Sequence, residues 1–410
     1  MSHLTAQKHF SEVKGIEVIL KTVERCNINC SYCYYFRDNH EYLQRPKFIS
    51  VDTIKHIAAF LVQGAKALGL ESIQIDFHGG EPTMQKKETF DWMCGHFRAQ
   101  LSPHVVLNLA IQTNATLVDD GWVALFEKHQ VHVGVSLDGP QEYHDIARLD
   151  HKGNSTYERT MKGVACLNAA VAQGRIPGVG ALCVVNPQHD AKKILSHFVD
   201  DLHITGMDFL LPDYTHDTFD HHTVKQYGDF LCALFDAWSA RDFKHVQVRL
   251  ISSVLSRLGG DFRSSLFRFS EEKAKALAFT IHSDGTLAPD DVLRTTPLWT
   301  KRPQMRVVET TLYAFLDHAF FHELGRAAHT IPDACQSCCW ARICGGGGIL
   351  THQYSSQNDS VNNPTVYCAG LKDFYSHVSA YLLKNGLSME RLQQALFREG
   401  ERAHLQATVA

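Results

Sequence analysis

Cysteines are the residues of this chain whose type and spacing most clearly permit chemistry, and there are 12 of them in 410 residues. Three of them, Cys26, Cys30 and Cys33, follow the spacing Cys-x3-Cys-x2-Cys. Three thiolates this close together can hold three irons of a cubane 4Fe–4S cluster and leave the fourth iron without a protein ligand. A zinc site would need a fourth ligand, and the nearest candidate, His40, lies awkwardly far along the chain. The first group therefore predicts an iron with an open position to which something else binds.

A second group of cysteines lies nearer the C-terminus: Cys335-x2-Cys338-x5-Cys344, followed by Cys368, with Cys339 left over. Grouped cysteines in a reducing compartment are typical of metal or cluster ligands rather than of disulfides. Spacing favours Cys338 over Cys339 as a ligand, and a four-cysteine zinc site is an alternative to an iron–sulfur cluster. The other cysteines stand singly and are interpreted as small buried apolar side chains, namely Cys94, Cys166, Cys183 and Cys232.

The elements that must position these residues can be predicted from the hydrophobic pattern. Short apolar runs alternate with longer stretches of helical period from residue 16 to about 240, which predicts parallel strands joined by right-handed helical crossovers. Because a closed barrel would need eight strands, the fold class predicted is α/β, a partial (β/α)6 barrel. The predicted strands are 16–22, 72–77, 105–111, 132–137, 178–185 and 207–211, and the predicted helices are 51–68, 89–101, 119–129, 157–173 and 191–203.

The same pattern predicts the division of the chain into domains. The second cysteine group falls in a turn-rich region that is separate from the predicted barrel, and the tail after it has helical spacing. The predicted segments are an N-terminal extension, 1–15; the partial barrel, 16–240; a charged, irregular connector, 241–275; a small cluster-binding domain, 276–370; and a C-terminal helical tail, 371–410.

Composition excludes several classes of protein. The hydrophobic fraction of 44% is ordinary for a globular chain. The 40 Lys and Arg against 44 Asp and Glu give a formal net charge of −4, whereas nucleic-acid-binding proteins normally carry a basic excess. No apolar run approaches the roughly 20 residues that span a bilayer, and residues 1–14 lack the features of a signal peptide. We therefore expect a cytoplasmic protein whose partners include neither nucleic acid nor membrane.

Further motifs follow the predicted strands: Gly79-Gly80-Glu81-Pro82 after the second, Gln112-Thr113-Asn114 after the third and Ser136-Leu137-Asp138-Gly139 after the fourth. The carboxyl ends of parallel strands meet at one edge, where barrels gather their chemistry. Together with the first cysteine group and its Tyr32, these motifs resemble the signature of radical S-adenosylmethionine enzymes. The resemblance implies that Cys26, Cys30 and Cys33 hold a 4Fe–4S cluster.

The resemblance also implies S-adenosyl-L-methionine as a cofactor, bound on the open iron. Its methionine moiety is expected against His78 and the Gly79-Gly80-Glu81 segment, where glycines permit close backbone approach and Glu81 or nearby carbonyls can accept from the ammonium. Ser136 and Arg148 match positions that bind the cofactor carboxylate in related peptide-modifying members, and an Arg offers a charge-assisted pair there. Simpler interpretations of these residues are a strand-to-helix turn, a helix cap and a surface ion pair.

The second cysteine group resembles the C-terminal SPASM-type domain of radical enzymes that act on peptides. The full pattern of that domain has seven cysteines serving two auxiliary clusters, but here Gly348 and Asp290 stand at two of the expected cysteine positions and a third has no counterpart. The missing positions all serve the first auxiliary cluster in the family. The resemblance thus implies two 4Fe–4S clusters in total, the second being one auxiliary cluster held by Cys335, Cys338, Cys344 and Cys368.

A candidate base lies in a hairpin expected around Gly285. The segment 281–289 looks like the glycine-containing hairpin of the family, and Asp290 and Asp291 follow it. In the sulfatase-maturing branch an aspartate at the position of Asp291 serves as base, and a carboxylate in a dry pocket could take the proton that an oxidation must shed. The alternative is a turn with an exposed aspartate.

The function implied by the resemblance is that of a radical S-adenosylmethionine maturase. Such an enzyme abstracts a side-chain hydrogen from a precursor peptide and receives electrons from a donor such as flavodoxin or ferredoxin. Because one auxiliary cluster is missing, a cyclophane-forming enzyme, which joins an aromatic ring to a β-carbon, is favoured over a sulfatase maturase. Alternatives are a thioether-forming or other peptide-oxidising maturase of formylglycine type, and, from another class, a non-catalytic iron–sulfur electron carrier.

Overall fold

The computed structural model describes residues 13–37, 40–241, 244–261 and 276–397. The chain folds into two compact units. The first comprises Met1–Cys183, His197–Thr205 and Ala274–Glu323; the second comprises Val184–Ser196, Gly206–Lys273 and Leu324–Ala410. The domain boundaries predicted from sequence stay predictions. Residues 276–323, however, belong to the first unit and not to the unit that contains the second cysteine group.

The first unit is built on a predominantly parallel sheet, which confirms the predicted fold class. Its strand order is β10-β9-β8-β1-β2-β3-β4-β5. The alternation of buried and partly exposed residues in β2 and β3 is that of a sheet with one face on the core. The bounds are β1 Gly15–Val23, β2 Ser72–Gly79, β3 Val106–Thr113, β4 Val131–Ser136, β5 Val179–Val184, β8 Ala276–Ile281, β9 Thr286–Ala288 and β10 Met305–Arg306.

Helices connect the parallel strands of this unit, and local signals fix where several of them begin and end. The Ser50 side chain accepts from the Thr53 backbone N–H to cap the helix α2, Val51–Leu68, and Gly69 ends that helix in the left-handed region. The other helices of the unit are α1 Tyr34–Arg37, α3 Lys87–Leu101, α4 Asp120–His129, α5 Gln141–Ala147, α6 Tyr157–Ala172, α10 Leu312–Leu316 and, up to Glu323, the start of α11 Ala319–His329.

The strand β8 is the main feature of this sheet that the sequence did not predict. It pairs in parallel with β1, from Gly15 opposite Ala276 to Leu20 opposite Ile281, and then turns back through Gly285 into the antiparallel β9. Gly285 has φ +82°, which a residue with a side chain rarely adopts. The expected hairpin is therefore present, and it extends the same sheet as β1.

The second unit contains a parallel pair of strands, β6 Gly206–Leu210 and β7 Gln247–Val248. Part of the predicted irregular connector is a helix here, because Leu250, Ile251, Val254 and Leu258 repeat at helical spacing and are buried; residues 262–275 lie outside the described part. The helices of the unit are α7 Ala191–Ser196, α8 Val224–Ser239, α9 Arg249–Leu258, α12 Ala341–Cys344, α13 Leu350–Gln353, α14 Cys368–Lys384 and α15 Met389–Leu396.

Within the described ranges, no helix is both long enough and apolar enough to cross a bilayer. The predicted N-terminal extension falls almost wholly outside those ranges, since the description starts at Val13. The predicted helical tail is present as α14 and α15 as far as residue 397.

Candidate functional site

The first three cysteines lie on the loop that leaves β1, just before α1. The Cys33 backbone N–H donates to the Cys30 carbonyl at 3.3 Å, which folds the loop back on itself. Burial, together with the nearby charges of Glu81, Cys30 and Cys33, raises the pKa of Cys26 to about 12. Because thiolates so placed repel one another, a cationic iron core would offset that repulsion on binding. This donor set fits a cluster, although no three His, Cys, Asp or Glu side chains of the described residues stand in ready-made metal geometry.

The glycine pair after β2 packs against this cysteine loop. Gly80 N–H donates to Val23 O at 2.7 Å, and Glu81 N–H donates to Arg25 O at 3.0 Å. A Cβ on Gly80 would lie 2.0 Å from Arg25 O and 2.7 Å from the nitrogen of Cys26. The structure therefore requires glycine here because of a close contact within the protein, whereas the sequence suggested close approach to a cofactor.

Glu81 is buried and its carboxylate is occupied by protein donors. One oxygen accepts from the backbone and hydroxyl of Thr83 at 2.9 and 2.5 Å and from the Thr113 hydroxyl at 2.7 Å. The other accepts from the Asn114 backbone N–H at 2.7 Å. Burial raises the pKa of Glu81 against these hydrogen bonds, which lower it. Glu81 thus ties the end of β2 to the end of β3, and a cofactor ammonium would meet the neighbouring carbonyls more readily than this carboxylate.

Arg148 lies beside the cysteine loop with part of its guanidinium unused. Its Nη1 donates to the Tyr32 hydroxyl at 2.7 Å, and Tyr32 donates to Asp138 at 2.7 Å. Burial alone would lower the pKa of Arg148, but Tyr32, Cys30 and Asp138 raise it above its usual value, so the group is charged. Its buried Nε has no hydrogen-bond partner among the described residues. A buried, charged N–H without a partner fits the carboxylate of a bound cofactor.

Ser136, the other residue expected at the cofactor carboxylate, lies at the end of β4. Its hydroxyl accepts from the Gln112 side chain at 2.7 Å, so the ends of β3 and β4 are joined there. Two of the polar motifs predicted at neighbouring strand ends therefore meet, as expected for parallel strands.

His78 and Asp291 meet through a lysine that the sequence analysis did not single out. Lys21, on β1, is fully buried and forms an ion pair with Asp291. Its Nζ also lies 3.0 Å from Nδ1 of His78 and 4.5 Å from the ring centre of Tyr35. The Tyr34 hydroxyl donates to Asp291 at 2.7 Å. The available signal was a lysine that directly follows the apolar run 18–20 in a strand of a parallel sheet, because such a charge needs a buried acidic partner.

The two aspartates after the hairpin occupy different environments. Asp290 begins the short 3₁₀ helix Asp291–Thr295, and its side chain accepts from the Val292 backbone N–H at 3.4 Å. Asp291 reaches Lys21 and Tyr34 instead. Both are buried, with 5% and 2% of their surface exposed, which excludes the alternative of an exposed turn aspartate.

The second cysteine group surrounds one cavity in the second unit. Cys335, Cys338, Cys344 and Cys368 line it, whereas Cys339 is exposed and lies outside its lining. Gly345 to Gly348 all have positive φ, between +63° and +112°, so the loop after Cys344 needs glycine at each position. Four thiols that line one cavity fit either a 4Fe–4S cluster or zinc by donor chemistry.

Comparison with known proteins shows which family and which enzymes this chain is similar to. Residues 20–182 match the model of the Radical SAM superfamily. A serine-type anaerobic sulfatase-maturating enzyme of Bacteroides thetaiotaomicron is 23% identical over 397 residues, 90% of this chain and 91% of the relative. A cysteine-type anaerobic sulfatase-maturating enzyme of Clostridium perfringens is 24% identical over 369 residues, 87% of this chain and 94% of the relative.

A solved structure described as anSMEcpe with bound AdoMet has a similar fold. Its TM-score is 0.75 at 22% identity, over 90% of this chain and 98% of that one. The two relatives are named as sulfatase-maturating enzymes, so they do not support the predicted cyclophane cross-link and fit the formylglycine-type alternative better. The cyclophane prediction was based on the missing cluster ligands, which bear on electron transfer and not on which carbon reacts.

Proposed function

This chain is a radical S-adenosylmethionine enzyme, and we propose that it oxidises the β-carbon of a serine or cysteine in a peptide substrate. The observation that carries the proposal is similarity to sulfatase-maturating enzymes of both the serine and cysteine type over nine-tenths of the chain. The family uses S-adenosylmethionine and a 4Fe–4S cluster, as the sequence predicted. Bound together, they supply the radical that removes a hydrogen atom from the substrate.

The residues that would hold these groups follow from the geometry. Cys26, Cys30 and Cys33 would ligate the first cluster, and Arg148 would pair its free Nε with the cofactor carboxylate. The second cysteine group would ligate a single auxiliary cluster, since all four of its thiols line one cavity. An electron donor of flavodoxin or ferredoxin type and a cytoplasmic location stay part of this proposal.

Asp291 supplies the base in this proposal. Oxidation of a serine β-carbon to an aldehyde removes one hydrogen as an atom and the second as a proton from the hydroxyl, together with one electron that the auxiliary cluster would accept. From cysteine the same losses would give a thioaldehyde, which water would hydrolyse to the aldehyde with release of sulfide. Asp291 is the buried carboxylate that would take the proton, and the Lys21 ammonium beside it stabilises the ionised form that a base requires. Asp290 is bound to the backbone of its own turn.

Three peptides of one sequence test the proposal, with Ser, Cys or Ala at the central position and an aromatic residue two positions away. Each is incubated anaerobically with the reconstituted enzyme, S-adenosylmethionine and a reductant. We expect 5′-deoxyadenosine with the peptides, and an aldehyde, trapped by a hydrazine reagent and located by tandem mass spectrometry, in the Ser or Cys peptide alone.

Two results would contradict the proposal in different ways. Loss of two hydrogens from the Ala peptide, without an aldehyde, would indicate a cross-link and restore the cyclophane interpretation. Absence of 5′-deoxyadenosine under all conditions, with iron bound, would leave the non-catalytic electron carrier.

A further inference from the structure

One face of helix α14 contributes three chemically different side chains to the cavity of the second unit. Cys368, Lys372 and Tyr375 are spaced four and then three residues apart, which places them on one side of the helix. All three line the cavity together with Cys335, Cys338 and Cys344. Lys372 is the only Lys, Arg, Asp or Glu among the described lining residues.

The Tyr375 hydroxyl is buried, and within the described residues it interacts with Cys344 without reaching ordinary hydrogen-bond geometry. The residue is 1% exposed, and no protein atom of the described chain accepts from its hydroxyl with hydrogen-bond geometry. Burial raises the pKa of Tyr375 well above its usual value, and Cys344 is the neighbour whose charge raises it most. A buried O–H donor without a well-placed acceptor is unfavourable, and Cys344, which lines the same cavity, is the neighbour that interacts with Tyr375 most strongly.

Lys372 lines the same cavity as these thiols. It lies about one helical turn after Cys368 on α14, so its positive charge is close to the cysteine side chains. Lys372 is exposed to solvent, so its ammonium can remain hydrated while the residue lines the cavity.

We propose that Tyr375 and Lys372 set the redox potential of the auxiliary cluster, Tyr375 by donating a hydrogen bond to the Cys344 sulfur and Lys372 by its positive charge. Reduction adds negative charge that the sulfurs share, so a donor and a cation both stabilise the reduced form and raise the potential. The pair would thereby make this cluster a better electron acceptor. The inference rests on the proposed function only in requiring a cluster at these four cysteines.

The test uses the Cys26, Cys30 and Cys33→Ala triple variant as background, because it should hold the auxiliary cluster alone. Tyr375→Phe removes the hydroxyl and keeps the ring, Lys372→Gln removes the charge, and Lys372→Arg keeps it. Lys384→Gln is the matched control, since it makes the same charge change on the same helix about 18 Å further along at about 1.5 Å per residue.

Potentiometric titration followed by electron paramagnetic resonance gives the midpoint potential, and iron analysis gives cluster content. We expect Tyr375→Phe and Lys372→Gln each to shift the potential to a more negative value, more so together, with about four irons retained. Lys372→Arg and Lys384→Gln should leave it unchanged.

An unchanged potential in the double variant, with its iron intact, would overturn the inference while leaving the proposed function standing. A background variant without iron would overturn the assignment of the four cysteines, and this inference with it. If Tyr375→Phe loses its iron, the test depends on the midpoint potential of Lys372→Gln, because Lys372 is exposed. An unchanged potential in that variant would then count against the inference.

Discussion

At the scale of single residues, the structure distinguishes the environments of two adjacent aspartates, which the sequence alone could not do. Asp291 contacts Lys21 and Tyr34, whereas Asp290 caps a turn. We expect Asp291→Asn to lower the yield of oxidised peptide by about 10²–10⁴-fold, the usual contribution of a general base, while 5′-deoxyadenosine is still formed. Both are measured in one reaction, by mass spectrometry and chromatography.

The matched control is Asp290→Asn, because asparagine also accepts hydrogen bonds at a cap position and should keep most of the activity. Undiminished product from Asp291→Asn, or a larger loss from Asp290→Asn, would show that Asp291 is not the base. Either result would leave the radical step unaffected.

Lys21 allows a prediction about stability. Its ammonium and the Asp291 carboxylate are 0% and 2% exposed, so removal of one leaves the other charged and buried. We expect Lys21→Met to lower the free energy of unfolding by about 3–5 kcal/mol, measured by anaerobic urea denaturation.

The double variant Lys21→Met/Asp291→Asn removes both charges and should recover most of that loss. A double variant as unstable as Lys21→Met would mean that the lysine acts through packing on Tyr35 rather than through its charge.

At the scale of elements, the contact between the loop after β2 and the cysteine loop after β1 leaves no room for a single added methyl group on Gly80. A Cβ on Gly80 would overlap the Arg25 carbonyl, whereas a Cβ on Gly178 would have no atom within 4 Å. We expect Gly80→Ala to displace the cysteine loop, so that reconstituted enzyme holds about four irons instead of about eight and no longer cleaves the cofactor.

Gly178→Ala is the control and should match the unmodified enzyme in iron content and cofactor cleavage. Full iron content in Gly80→Ala would mean that the cysteine loop adjusts to the methyl group, and that the glycine is needed for another reason.

At the scale of the whole molecule, the cysteine groups fall in different compact units, which predicts that each can load its cluster without the other. Replacement of Cys26, Cys30 and Cys33 by Ala should leave about four irons and abolish cofactor cleavage. Replacement of Cys335, Cys338, Cys344 and Cys368 should also leave about four irons, with some cleavage that is uncoupled from peptide oxidation. Iron analysis and 5′-deoxyadenosine assays measure both. Cleavage by the first variant would show that the roles are assigned wrongly.

The sequence by itself determined the chemistry. Cysteine spacing predicted the donor groups, and the alternation of strand and helix patterns predicted a parallel sheet whose strand ends carry the polar motifs. These features are local or periodic, so they can be recognised from the amino-acid sequence alone. The sequence did not determine the substrate, because the identity of the oxidised carbon depends on a surface that no spacing encodes; the predicted cyclophane is unsupported for that reason.

Only the tertiary structure decided which distant residues act together. The parallel pairing of β8 with β1 brings residues 270 positions apart, Lys21 and Asp291, into one buried ion pair. The tertiary structure also showed that the glycine pair packs against the Arg25 carbonyl and that Glu81 joins the ends of β2 and β3. Such contacts depend on strand order and register, which are set by the burial of whole faces of the sheet and not by any residue's immediate neighbours.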